Sequence, residues 1–292
     1  MRFINPKTDF AFKKIFGSPE SKDILISFLN ALIYKGESMI KDLEILDPYQ
    51  SPEIQGLKDS YLDVKAKLKD GTLVIIEMQV LNVESFGKRI LYNASKAYSL
   101  QLESGESYWS LKPVIALTIT DFIMFPETEK FISHFVYKEI EDNFIYKDSD
   151  VDLIYVELPK FNASLEQIIT LTDKWIYFMK NAPKLELIPD NMSNIPELNK
   201  AFTVANRANL TKKELEDLHN RELYIQDQQA AMIKSKKEGR AEGRAQGIAE
   251  GIAEGREEKR KEIARQLLGI LDEETISKTT GLSIEEIRLL SQ

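Results

Sequence analysis

The sequence predicts an α/β fold, a mixed β-sheet flanked by helices and followed by an α-helical C-terminal tail. Three observations carry that expectation. Two strand-like runs, SYLDVKAKL and TLVIIEMQV, are separated only by Lys69, Asp70 and Gly71. Helical runs precede and follow them. Two further apolar runs, KPVIALTITDF and DLIYVELPK, read as buried strands. Helix, hairpin, helix and strands in that order build a sheet with helices on its faces.

In chain order, Phe10, Phe12, Ile15 and Phe16 recur at helical spacing until Gly17, Ser18 and Pro19 break the pattern, and SKDILISFLNALIY forms a second helical run. The hairpin comes next, then a helix over roughly Ser85 to Glu103, then the two buried strands. Composition shifts after Pro183, which places a domain boundary near 185 to 195. The expected organisation is a first domain over 1–185, a polar helical connector over 186–235, a Gly-rich tetrapeptide repeat over 236–260 as helix or linker, and a small helix-turn-helix-like unit over 261–292.

Composition narrows the chemistry. With 43% apolar residues in 292, the chain has material for a sizeable core. It has no cysteine, which excludes disulfides, thiolate metal sites and cysteine nucleophiles. The two histidines, His134 and His219, lie far apart, so catalysis falls on carboxylates, lysines and amides. A net charge of −8 argues against strong nonspecific adhesion to nucleic acid, although a site that recruits a divalent metal imports its own positive charge. No run approaches the ~20 apolar residues of a membrane helix, and the opening MRFINPKTDF lacks the apolar core of a secretory signal. The expected location is therefore cytoplasmic, with no membrane partner.

The hairpin is where alternation and loop length test each other. Leu62, Val64, Ala66 and Leu68 alternate with Tyr61, Asp63, Lys65 and Lys67; Val74, Ile76, Met78 and Val80 alternate with Leu73, Ile75, Glu77 and Gln79. A two-residue turn would set Asp63 opposite Met78 and mix the faces. A three-residue loop with Gly71 in a left-handed position instead pairs Val64 with Ile76, Ala66 with Val74, Asp63 with Glu77 and Tyr61 with Gln79. Directly opposed side chains have Cβ atoms ~4.5–5.5 Å apart. Two carboxylates so placed read either as solvated acids on an open sheet face or as a site for a divalent cation, which removes their repulsion. Leu73 and Ile75 on the same face argue that it is covered.

Asp63, the hairpin and Glu77-Met78-Gln79 resemble the D…(D/E)-x-K signature of the PD-(D/E)XK nucleases. The opening NPKTDFAFKKIFG, the helix FGKRILYNASKAY and the Gly-rich tail ending in TGLSIEEI are similar to the recombination-promoting nuclease/transposase (Rpn) branch of that superfamily. The resemblance covers nearly the whole chain. It implies a restriction-endonuclease-like α/β fold and an endonuclease acting on DNA with Mg²⁺, for which Mn²⁺ substitutes. It implies metal held by Asp63, Glu77 and the backbone carbonyl of Met78, with Asp63, Glu77 and Gln79 catalytic, and in-line attack of water on a phosphodiester. Gln79 stands where the superfamily usually has lysine; a neutral amide orients water but does not stabilise negative charge as an ammonium does, so slow turnover is expected. Supporting candidates are Asp9, as an extra acid or a helix cap; Arg89, as a phosphate ligand or a solvated helix residue; and Lys65, with Lys67, as backbone-phosphate contacts or solubilising lysines.

In the tail, glycine recurs at 239, 243, 247, 251 and 255, and like charges stack at i, i+4. Each helical glycine costs roughly 0.8–1 kcal/mol against alanine, and like-charge pairs disfavour a lone helix. Homo-oligomerisation through this helix is one reading and a flexible linker the other. Beyond it, Gly281 stops a helix, and Ser283 with Glu286 forms a capping box for the next. The functional expectation is a DNA endonuclease of recombination or transposition. Its rivals are a catalytically weak scaffold with the nuclease fold and a DNA-binding regulator acting through the tail.

Overall fold

A computed structural model describes residues 2–50 and 60–290. The chain forms two compact units, Met1–Gln226 and Asp227–Gln292. In the first, helices α1 (Asp9–Phe16) and α2 (Lys22–Ile33) precede strands β1 (Leu43–Leu46), β2 (Tyr49–Gln50), β3 (Ser60–Tyr61), β4 (Val64–Leu68) and β5 (Leu73–Gln79). Helix α3 (Phe86–Ser99), strands β6 (Val114–Thr120), β7 (Ile132–Phe135) and β8 (Val151–Glu157), and helices α4 (Leu171–Asn181), α5 (Asp190–Ser193) and α6 (Pro196–Val204) follow. Helix α7 (Lys212–Leu267) begins in this unit.

Six strands form one mixed sheet in the order β1-β4-β5-β6-β8-β7. The β5–β6 and β6–β8 pairs are parallel and the others antiparallel. Parallel strands need cover on both faces, and the sequence supplies it by alternation. Val64, Ala66, Val74, Ile76, Met78, Leu117, Ile119, Ile154 and Val156 enter the larger core, shared with α1, α2, α4 and α6. Leu73, Ile75, Val114, Ala116 and Tyr155 enter a smaller core under Phe86, Ile90, Ala94 and Ala97 of α3. Trp175 is the largest fully buried side chain, edge-on to Phe28 and Phe178, and its indole N–H donates to Ser27 Oγ at 3.1 Å.

The β4–β5 hairpin has the three-residue register, with Val64 opposite Ile76 and Ala66 opposite Val74. Gly71 closes the loop at φ +94°, a left-handed conformation that glycine adopts without a Cβ clash. Three expectations fail at the start of β4. Asp63 lies at a bend outside the ladder and is not paired with Glu77. Tyr61 pairs with Tyr49 in a separate two-stranded sheet rather than with Gln79, and Leu62 packs in the smaller core, away from Val64 and Ala66. The chain bends at Asp63, so the period-2 alternation that holds from Val64 onward does not extend back through it.

The first unit also runs past the boundary expected near residue 185. Met192, Leu198, Ala201, Phe202, Leu210 and Leu218 all lie in the larger core. These apolar residues are spread over short helices among Asn, Pro and Glu, which is why the segment reads as a polar connector in sequence.

Within Asp227–Gln292, α7 carries the repeat glycines, each with open space where a Cβ would stand. Helix α8 (Glu273–Thr280) ends at Gly281 with φ +71°, and α9 (Ile284–Leu290) starts from the Ser283–Glu286 capping box. Ala264, Ile276, Leu282 and Ile287 form a small core there, and Arg288 pairs with Glu273 at 2.9 Å. Among the described residues no helix is long and apolar enough to cross a membrane.

Candidate active site

The site is assembled on the hairpin and two helices. At the end of β5, Glu77 faces the smaller core's side of the sheet and is only 8% exposed. The sharp connection to α3 passes through Ser85 at φ +65°, and α3 then presents Arg89 and Asn93, one helical turn apart, to Glu77. Asn93 Nδ2 donates to Glu77 Oε1 at 2.7 Å, and Arg89 Nη2 donates to Glu77 Oε2 at 3.2 Å. The same guanidinium nitrogen donates to Gln79 Oε1 at 2.9 Å, while Gln79 Nε2 donates to the Leu81 carbonyl at 2.8 Å. Gln79 is thereby fixed at both ends of its amide.

Asp63, just before β4, is brought to the same strand through the main chain. Its Oδ2 accepts the Met78 N–H at 2.7 Å, which puts the Met78 peptide at the site. Helix α1 adds Asp9, hydrogen-bonded to Asp63 and forming an ion pair with Lys13 at 2.8 Å. Arg221, early in α7, lies 3.7 Å from Asp9, and Lys13 Nζ stands 3.8 Å from Asp63 Oδ1. The opening NPKTD holds α1 there. Thr8 caps the helix by accepting the Ala11 N–H, and Lys7 pairs at 2.7 Å with Asp121, whose own N–H donates to the Gln79 carbonyl. On the other face of α1, Phe12, Ile15 and Phe16 are sealed in the larger core.

Electrostatically the acids are unequal. Burial pushes the Asp63 carboxyl up to about 8, with the hydrogen bond that its protonated form donates to Asp9 and the charges of Asp9 and Glu77 adding to the rise and the Met78 N–H opposing it. Burial also raises Glu77, against the charge and hydrogen bonds of Arg89 and Asn93. Asp9 is held below the usual aspartate range: burial raises it, but Lys13, the Asp63 hydrogen bond and Arg221 together outweigh that. Asp63 is thus a buried carboxyl between two acidic neighbours, and added positive charge would release its proton.

That property fits a divalent cation. Among the described residues no group of three or more His, Cys, Asp or Glu is arranged to hold a metal, so a cation here would take two carboxylates and complete its shell with main-chain, water and substrate oxygens. Mg²⁺ binds proteins in that way. Every donor is oxygen, as a hard cation requires.

Asp63, Glu77, Gln79, Arg89, Asp9 and the Met78 peptide therefore meet in one place. Lys65 lies two residues along β4 from Asp63, opposite Ile75, half-buried, with its ammonium lowered by burial. Lys67 is exposed. Sequence reasoning gave no role to Asn93 or Lys13; each stands four residues beyond a residue it did single out, Arg89 and Asp9, and that helical spacing was the available signal. A family model described as PD-(D/E)XK nuclease family transposase matches residues 6–235. No curated protein and no solved structure matches the chain.

Proposed function

Because the chain belongs to the PD-(D/E)XK nuclease family transposases, we propose that it is a Mg²⁺-dependent endonuclease that hydrolyses DNA phosphodiesters in recombination or transposition in the cytoplasm. The observation that carries this reading is the convergence of Asp63 and Glu77: Asp63 accepts the Met78 N–H, next to Glu77 on β5, and the two acids repel, which a cation would relieve. Asp63, Glu77 and the Met78 carbonyl would hold the metal, with Mn²⁺ as a substitute. When bound, it supplies Lewis-acid charge at the phosphate.

The chain's own groups do the rest. Asn93 holds Glu77 with one oxygen engaged and the carboxylate oriented. Gln79, held by Arg89 and Leu81, presents an amide oxygen that can accept a hydrogen bond from the attacking water and so orient it. Arg89 is 44% exposed and stacks at 5.0 Å over Phe86; it is in reach of the site and free to turn from Glu77 towards a phosphate, where a guanidinium binds bidentately. The C-terminal unit is proposed as a self-association element, on the support of its exposed Ile248 and Ile252 and its stacked like charges.

The catalytically weak scaffold draws support from the neutral Gln79 and the net charge of −8. Plasmid nicking with Mg²⁺ or Mn²⁺ against EDTA separates the two. Metal-dependent nicking supports the enzyme, and no nicking at micromolar protein with metal bound supports the scaffold.

A further inference from the structure

Two cations beside the acids, Lys13 and Arg221, have no part in the reaction so far assigned, and Lys13 is the one that also reaches Asp63. Lys13 sits 2.8 Å from Asp9 Oδ1 and 3.8 Å from Asp63 Oδ1. The Asp63 oxygen it faces is not the one engaged by Met78, whose N–H takes Oδ2. Lys13 therefore stands against the Asp63 oxygen that does not accept the Met78 N–H. Its side chain is 42% exposed, so the ammonium reaches the acids from the solvent side. Its backbone is rigidly held: α1 is sealed into the core by Phe12, Ile15 and Phe16, and the Lys13 carbonyl is closed by the Gly17 N–H at 2.8 Å. A Cβ at Gly17 would lie 2.8 Å from that carbonyl oxygen, so the tight ending of α1 itself calls for glycine.

A fixed backbone carrying a flexible four-carbon stem and a point charge lets one ammonium serve two positions. At position 79, where a lysine would supply charge, the side chain is a neutral amide already bonded at both ends. Arg89, bonded to Glu77 and Gln79 in the metal-free protein, approaches from α3, on the other side of the pair from Lys13 of α1.

We propose that Lys13 is a tethered cation of this active site: in the metal-free protein its charge stands beside Asp9 and Asp63 and competes with a metal for Asp63, and on metal binding it is displaced to the phosphate, contributing the positive charge that Gln79 does not. This rests on the nuclease reading given above. It assigns Lys13 two effects of opposite sign, competition with the metal and help to the reaction. A residue that merely kept the fold together would move both in the same direction.

The test compares Lys13→Met and Lys13→Arg with the wild-type full-length chain. Mn²⁺ affinity is measured by calorimetry without DNA, and plasmid nicking is measured separately at saturating Mg²⁺. Removing a positive charge about 4 Å from a ligand oxygen should tighten Mn²⁺ binding in Lys13→Met on the order of tenfold. Nicking at saturating metal should fall roughly 10²-fold, as for loss of one charge-stabilising donor. Lys13→Arg, which keeps the charge, should stay near wild type in affinity and recover most of the activity. Unchanged or weaker Mn²⁺ binding in Lys13→Met overturns the inference, because a competing cation cannot be removed without effect. Tighter binding with undiminished nicking overturns the phosphate role. Should the wild type bind Mn²⁺ yet not nick, the nuclease reading fails, and the affinity comparison still decides whether Lys13 guards the acids.

Discussion

Replacing Asp63 by asparagine should stabilise the metal-free protein, and by an amount that grows with pH. The amide keeps the shape of the carboxyl: its oxygen still accepts the Met78 N–H, and its NH₂ can donate to Asp9. What it loses is the proton equilibrium. In the wild type this carboxyl titrates at about 8 when folded, against an ordinary value of 3.8. A folded pKa raised above the unfolded one means that the native state binds the extra proton, so its stabilising effect is complete below about pH 4 and is lost as pH rises towards 8. Each pH unit across that window costs the wild type about 1.4 kcal/mol. Between pH 5 and pH 8 the difference between variant and wild type should thus widen by roughly 4 kcal/mol. Urea unfolding in EDTA at pH 5, 6.5 and 8 reads it directly. Saturating Mg²⁺ at pH 8 should shrink the difference by stabilising only the wild type. Parallel stability curves for the two proteins would refute the reasoning, since they would show that Asp63 ionises in the folded protein as freely as in the unfolded chain.

Asn93→Ala should lower nicking at saturating Mg²⁺ by about 10–100-fold without unfolding the protein, because it removes the 2.7 Å hydrogen bond that orients Glu77; wild-type turnover in a folded variant would contradict this. Glu157→Gln should cost about 3–5 kcal/mol in urea unfolding and leave Mn²⁺ affinity unchanged. Glu157 is fully buried, accepts the Met124 and Phe125 N–H groups, and pairs with Lys160 at 2.6 Å, and losing one partner strands a buried charge. Truncation after Gln226 should leave a cooperatively folding unit that is less associated than the full chain in light scattering, whereas truncation near residue 185 should give unfolded or aggregated protein, because it strips Leu198, Phe202, Leu210 and Leu218 from the larger core. An equal oligomeric state in the full chain and the 226-residue fragment would remove the tail as an assembly element.

The central hairpin was legible because two independent constraints agreed on it. The alternation of Val64, Ala66, Val74 and Ile76 admits one register, and the Lys69-Asp70-Gly71 loop admits the same one. Buried strands β6 and β8 were visible as long apolar runs. By contrast β1 and β7, with the sequences LEIL and ISHF, are four residues long, and such short runs carry too little pattern to stand out. Edge pairing in the finished sheet, not local preference, makes them strands. The hairpin alone set Asp63 opposite Glu77, but the ladder begins at Val64, and Asp63 reaches β5 through the Met78 N–H instead. Lys13 and Asn93 could not be placed, because their positions depend on how α1 and α3 dock on the sheet, and that is set by Phe12, Phe16, Phe86 and Ile90 in two different cores. The bend at Asp63 was hidden for a related reason. At that bend Asp63 accepts the Met78 N–H, a contact between residues that a regular ladder would not join.

The most direct test of the nuclease reading is nicking of supercoiled plasmid by the wild type, Asp63→Ala and Glu77→Ala, each in Mg²⁺ and in EDTA, with circular dichroism to establish that all three are folded. The expected result is nicking by the wild type in Mg²⁺ alone, and none by either variant. Nicking that persists in EDTA, or in either variant, would contradict the assignment of Asp63 and Glu77 as the metal-holding pair.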